Sequence, residues 1–148
     1  MMTKVMTMSN MADTIKTMND RFGVNDWVID KLQSDDFESV EKLLEFRIKD
    51  LLAEEFLETQ AAFKEKNAEE LVDGLVDLIV IAMGTLDILD VDTHKAFNKV
   101  MKANLSKEAG IKPERPNPLG LPDLLKPEGW VGPDHRFNHG LLPLIWEE

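Results

Sequence analysis

The stretch AEELVDGLVDLIVIAMGTLDIL, Ala68–Leu89, decides how this chain folds. Its residues Leu71, Val72, Leu75, Val76, Leu78, Ile79, Val80 and Ile81 are apolar on almost every side of a helix, and a helix of that kind is expected to be buried. Asp73, Asp77 and Asp87 interrupt the run, so it is not a transmembrane segment. Upstream, Phe37, Val40, Leu43/Leu44, Ile48, Leu51/Leu52 and Phe56 step by three and four, which predicts one long amphipathic helix from about Asp36 to Lys66. Asn67 breaks the pattern, and the two helices are expected to form an antiparallel hairpin around it.

Further out the period stays helical. Asp92 or Thr93 opens a third helix with Ala96, Phe97, Val100 and Met101 on one face. Toward the N-terminus a short helix around 11–20, with Ser9 or Asn10 as its cap, precedes a turn at Gly23. A further helical turn over 26–32 has Asp26 as its expected N-cap. No segment of the first 109 residues alternates like a strand, so residues 1–109 read as an all-α body. All seven prolines lie between Pro113 and Pro143, and residues 110–148 are expected to be an extended strap belonging to the same domain. Trp130, Trp146 and the apolar runs 119–125 and 141–145 give that strap surface to pack on the body or on a neighbouring subunit.

The chain has 148 residues, 43% of them hydrophobic and 30% charged, which suits one modest core. Seventeen basic against twenty-eight acidic residues leave a net charge of −11, a poor match for a nucleic-acid polymer. Zero cysteines exclude disulfides, thiolate metal sites and cysteine nucleophiles. The Met-rich N-terminal segment lacks the continuous apolar core of a signal peptide, and a cytoplasmic protein with no membrane partner is expected.

The chemistry lies in the carboxylates. Glu54, Glu55 and Glu58 fall within about 100° of arc on the first long helix. Glu70, Asp73 and Asp77 fall within about 60° on the second, and the hairpin brings the two stripes face to face. Taken alone, an EExxE pattern reads as a solvated helix face. The second group is different, because a carboxylate among apolar neighbours needs a cation or a proton. An all-oxygen ligand set suits Mg²⁺, or Mn²⁺, and Mg²⁺ at protein carboxylates commonly bridges to phosphates. A di-iron bundle would need Glu-x-x-His pairs, and an EF-hand its Asp-rich loop; the sequence has neither. Beyond the third helix, Asn104 and Lys107 have the chemistry to touch a base, a sugar or a phosphate.

Glu55-x-x-Glu58 followed by Glu70-x-x-Asp73 resembles the ExxE…ExxD signature of the all-α MazG-like nucleoside triphosphate pyrophosphohydrolases. The strings AEEFLE (53–58), EELVDGLVDLIVIAMGTL (69–86), KAFNKVMKANLSK (95–107) and KPEGWVGPD (126–134) are similar to small members of that group, including those of bacteriophages. The resemblance implies Mg²⁺-dependent cleavage of a nucleoside triphosphate between its α and β phosphates, giving monophosphate and pyrophosphate. It implies that Glu55, Glu58, Glu70 and Asp73 are metal ligands and that Glu54 is a further ligand or the group orienting the attacking water. Asp77, one turn beyond the motif, is held as an accessory ligand. More than one ion per site is expected for so many carboxylates. Asn104 and Lys107 would contact the nucleotide, Lys126 a phosphate and Trp130 the base. The resemblance further implies a helical bundle completed as a homodimer or a dimer of dimers. The related phosphoribosyl-ATP pyrophosphohydrolases are the nearest alternative, and a non-catalytic acidic helical module is a second.

Overall fold

The computed structural model describes residues 8–146; the Met-rich residues 1–7 lie outside the described residues. In chain order the elements are α1 (Met8–Arg21), α2 (Val24–Gln33), α3 (Phe37–Glu45), a π-helical stretch (Phe46–Leu51), α4 (Leu52–Lys64), α5 (Ala68–Ile88), α6 (Thr93–Leu105), β1 (Glu108–Gly110), β2 (Asp123–Leu125) and α7 (Leu142–Ile145). The fold is all-α apart from the β1–β2 ribbon. By internal contacts the chain divides into two compact units, Met1–Thr93 with His139–Glu148, and His94–Asn138. No helix among the described residues is long and apolar enough to cross a membrane.

In the first unit α4 and α5 form the antiparallel hairpin that the break at Asn67 implies, and α1 packs beside α5. The hairpin turn is built from two caps. Lys66 adopts a left-handed φ of 58°, with Asn67 N–H bonded to Ala62 O and Lys66 N–H to Phe63 O, which closes the last carbonyls of α4. Asn67 then accepts from the Glu70 N–H at 3.1 Å and starts α5. The same C-terminal closure recurs at Asp35 after α2 and at Asp90 after α5, each with a left-handed non-glycine residue. Val28, Val40, Leu44, Ile88, Leu89 and Ile145 form the core cluster, and Leu141 N–H donates to Leu89 O at 2.7 Å, which seats α7 at the end of α5.

Three local expectations are corrected. The N-cap of α2 is Gly23, at φ 78°, and Asp26 sits inside the first turn. Ser9 and Asn10 lie within α1, which starts by Met8. The helix expected over 36–66 is continuous in chain but not in geometry, because residues 46–51 are π-helical. A residue inserted into the α ladder rotates the downstream turns by about 100°. Accordingly Ile48 and Phe56 of the sequence stripe face outward, and Thr59 and Ala62 are the buried residues of α4. Arg47 occupies this stretch. Its Nε donates to Thr85 Oγ1 at 2.9 Å and its Nη2 to Ile81 O at 3.4 Å, over Gly84, where a Cβ would meet the guanidinium. The burial expected for α5 is also incomplete. Val72, Leu75, Val76 and Ile79 are exposed.

In the second unit, β1 and β2 pair antiparallel with Glu108 opposite Leu125 and Gly110 opposite Asp123. The intervening loop is tied by an Arg115–Asp123 ion pair at 2.6 Å. Trp130 Nε1 donates to Ala103 O and to Ser106 Oγ, both at 3.0 Å, holding the segment after β2 on the end of α6.

Candidate active site

The α4–α5 pairing is closest at Thr59 and Gly74. A Cβ on Gly74 would collide with Thr59 Oγ1 and lie 3.3 Å from its Cβ, so glycine in mid-helix is required by the close approach rather than by a turn. Thr59 itself is buried and turns its hydroxyl onto Glu55 O at 2.7 Å. This contact fixes the acidic residues, since Glu55 and Glu58 flank Thr59 by one turn and one residue, and Asp73 and Asp77 flank Gly74.

Glu55 and Asp77 are half-buried, whereas Glu54, Glu58, Glu70 and Asp73 are exposed. The expectation that Asp73 lies among buried apolar groups is therefore corrected; its neighbours Val72 and Leu75 are themselves in the open. The carboxyl of Glu55 is held above its ordinary value, first by partial desolvation and then by the charges of Asp77, Glu58, Glu54 and Asp73. Asp77 is raised in the same way, by desolvation and then by Asp73. Glu54, Glu58, Asp73 and Asp77 thus all act on Glu55, and Asp73 acts on Asp77. Glu70 is not among the charges acting on Glu55 or Asp77; it stands in the first turn of α5 beside the Asn67 cap. Among the described residues no lysine, arginine or histidine pairs with any of the six.

Mutual repulsion without a protein cation, in an all-oxygen donor set, is chemistry that a hard divalent ion satisfies. Among the described residues no three of these side chains converge closely enough, as they stand, to hold one ion. What fits is the donor set and its charge, not a formed coordination sphere.

The remaining residues expected at the site lie in the second unit. Lys107 Nζ and Lys126 Nζ stand 5.1 and 5.2 Å from the Trp130 ring centre, so the structure brings these three together. Asn104 is half-buried on α6 and makes none of these contacts. The sequence reading missed a polar network in the first unit. Buried Asn19 donates to Asp87 Oδ2 at 2.8 Å and to Gly84 O at 3.3 Å, and Asn25 donates to Asp87 Oδ2 at 3.2 Å. Arg47 lies close enough to feel Asp87, although desolvation lowers the affinity of its guanidinium for the proton. The signal for it was the polar Arg47 inside the Phe46–Ile48 stripe and the Gly84–Thr85 gap in the apolar face of α5.

The hairpin with its opposed acidic clusters falls within a match to an all-α family of hydrolases acting on phosphoric anhydrides. A profile of the phosphoribosyl-ATP pyrophosphohydrolase family matches residues 24–104, more than half of the chain, and this chain belongs to that family. The match spans α2 through most of α6, including every carboxylate discussed above. Comparison with curated proteins and with solved structures gives no match.

Proposed function

We propose that this pyrophosphohydrolase hydrolyses nucleoside triphosphates, ribo- or deoxyribo-, between the α and β phosphates, and that it is a small MazG-like member of the phage type acting in the cytoplasm. The observation that carries this reading is the set of unpaired carboxylates meeting at the Thr59–Gly74 contact, with Glu55 and Asp77 perturbed by their neighbours. Glu55, Glu58, Glu70 and Asp73, with Asp77 as accessory, would hold Mg²⁺ or Mn²⁺, more than one ion per site. A metal held there would supply positive charge for the triphosphate and for the charge developing on the leaving pyrophosphate. Glu54, exposed at the start of α4, orients the attacking water and takes its proton as the oxygen bonds to the α phosphorus and the α–β anhydride breaks. Asn104, Lys107, Lys126 and Trp130 are assigned to the nucleotide, the lysines to phosphate oxygens and the indole to the base.

The family match also favours phosphoribosyl-ATP as an alternative substrate, which presents the same anhydride on a base carrying a second ribose phosphate. The exposed apolar residues of the hairpin, among them Phe56, Leu57, Val72, Leu75, Val76 and Ile79, support assembly as a homodimer or dimer of dimers through that face. Sedimentation at micromolar concentration tests the assembly, and a well-folded monomer sinks it.

Incubation with a panel of triphosphates and with phosphoribosyl-ATP, with Mg²⁺ and with EDTA, tests the chemistry by ion-exchange separation of the products. Metal-dependent release of pyrophosphate is expected. Release of orthophosphate instead, or equal turnover in EDTA, overturns the reading. A protein that turns over nothing, and whose melting temperature ignores Mg²⁺, is the non-catalytic module.

A further inference from the structure

The charge of this protein is unevenly distributed. Residues 94–138 contain eight basic and five acidic residues, a net +3, and the rest of the chain has nine and twenty-three, a net −14. Two of these basic residues line a cleft of about 370 Å³ within the second unit, formed by Lys99, Lys102, Ala103 and Ser106 of α6 and its C-terminal turn and by the segment Val131–Asp134.

We propose that this cleft binds a phosphoryl oxyanion, with Lys99 and Lys102 as its cationic ligands. Three observations favour an anion over a cation. Asp134, the carboxylate on the lining, is gripped by its own Arg136, with Nε at 3.0 and 2.9 Å from its two oxygens and Nη2 at 2.6 Å from Oδ2, so its charge is already met. Lys99 donates to the Asp134 backbone carbonyl at 2.6 Å, which fixes its ammonium at the cleft and leaves two of its three N–H donors for a ligand. Lys102, three residues on, is exposed and has no acceptor among the described residues. Ser106 lines the cleft as a fixed wall, its hydroxyl donated to Ala103 O at 2.7 Å and its oxygen accepting from Trp130 Nε1, so the lysines are the donors there. The result is one ammonium held in place, on Lys99, beside an unpaired one on Lys102, in a chain that is otherwise strongly acidic. The site stands independently of the metal reading of the carboxylates, which lie in the other unit.

The phosphoryl group has two sources, a bound nucleotide or free pyrophosphate and phosphate, and one set of experiments separates them. Calorimetric titration of the intact protein with inorganic pyrophosphate and with inorganic phosphate, in EDTA, removes any contribution from metal at the carboxylates. Pyrophosphate is expected to bind, with affinity falling as salt rises and about tenfold weaker in Lys102→Gln, the loss typical of one charge-assisted contact. Lys49→Gln, in the first unit and paired with Glu45, is the charge-matched control and should bind as wild type. Absence of pyrophosphate binding in EDTA, or equal affinity in Lys102→Gln and wild type, overturns the proposal whatever the turnover assays show. Where binding is found, kinetics identify the source. A raised nucleotide KM with unchanged kcat in Lys102→Gln places the oxyanion on the substrate; an unchanged KM with lost inhibition by pyrophosphate places it on the product.

Discussion

The helical unit is organised by burial: Val28, Val40, Leu44, Ile88, Leu89 and Ile145 come from α2, α3, the end of α5 and α7 to make one cluster. In His94–Asn138 the described buried residues are Ala103 and Asn138, and order comes instead from directional contacts. Trp130 is bonded to the end of α6, Lys99 to Asp134 O, Arg115 to Asp123, and Arg136 to Asp134. The charges divide along the same line, carboxylates in the first unit and excess lysines in the second. Close-packed helices fix carboxylates through backbone approach, as at Thr59 and Gly74. A Pro/Gly-rich segment with little apolar burial holds its lysines through hydrogen bonds and the indole ring. Under the proposed function, the two kinds of scaffold would serve two tasks, holding reacting groups in place and receiving an anion.

That contrast can be broken most severely at the reacting end. Asp73→Asn is expected to lower kcat by at least about a hundredfold, whereas Lys107→Gln should raise KM about tenfold with kcat largely kept. Steady-state kinetics on both variants decide it, and equal effects on kcat would erase the division of labour. Next in size is Gly74→Ala. Alanine is the better helix former by about 1 kcal/mol, but the added methyl overlaps Thr59, and overpacking of that kind costs about 1–3 kcal/mol. A net loss of stability in urea is expected, together with reduced turnover as the helices part; a stabilised, fully active variant would show that the contact does not set the site. In the other unit, Trp130→Phe keeps a ring for Lys107 and Lys126 but deletes both Nε1 hydrogen bonds, and about 1 kcal/mol should be lost. Hydrogen exchange should report that loss in residues 94–138 and leave the helical hairpin unchanged. Faster exchange throughout α5 would mean that the units are not independent in stability.

The smallest effect is a pH dependence. Glu55 and Asp77 have folded values raised above their ordinary 4.5 and 3.8, so they bind protons more readily in the folded chain than in the unfolded one. Their repulsion lowers stability at neutral pH, and that penalty is relieved as pH falls through the raised values. Asp20 and Asp36 act in the opposite sense: hydrogen bonds from Asn25 and Ser39 hold them low, and their contribution fades at more acidic pH. In metal-free buffer, Asp77→Asn should therefore melt higher than wild type at pH 7, with the gap closing toward pH 4. A gap that stays constant would remove the electrostatic explanation.

Much of this was readable in the order of residues. The 68–89 run, the cap at Asn67 and the stepped stripe before it specify a helical hairpin, because apolar periodicity and capping are local properties. The acidic groups were legible for the same reason: Glu55 and Glu58, like Asp73 and Asp77, share a face through helix geometry alone. The π-helical stretch was not legible. Arg47 within it bonds to Thr85 and Ile81, thirty-eight and thirty-four residues away, and no local pattern shows such contacts. Nor could the sequence place Asp134, whose carbonyl holds Lys99 thirty-five residues earlier.

The sequence by itself determined the helices, their breaks, the excess of carboxylates and the family signature, all of which depend on neighbours within a few turns of chain. Only the tertiary structure decided that Glu55 and Asp77 are the half-buried carboxylates with raised values while Asp73 stays in the open, and that Ile48 and Phe56 turn away from the core. It also decided that Lys99 and Lys102 line a cleft whose carboxylate is already paired. These outcomes depend on which face of one element meets another, and that is set by packing and desolvation summed over residues far apart in the chain.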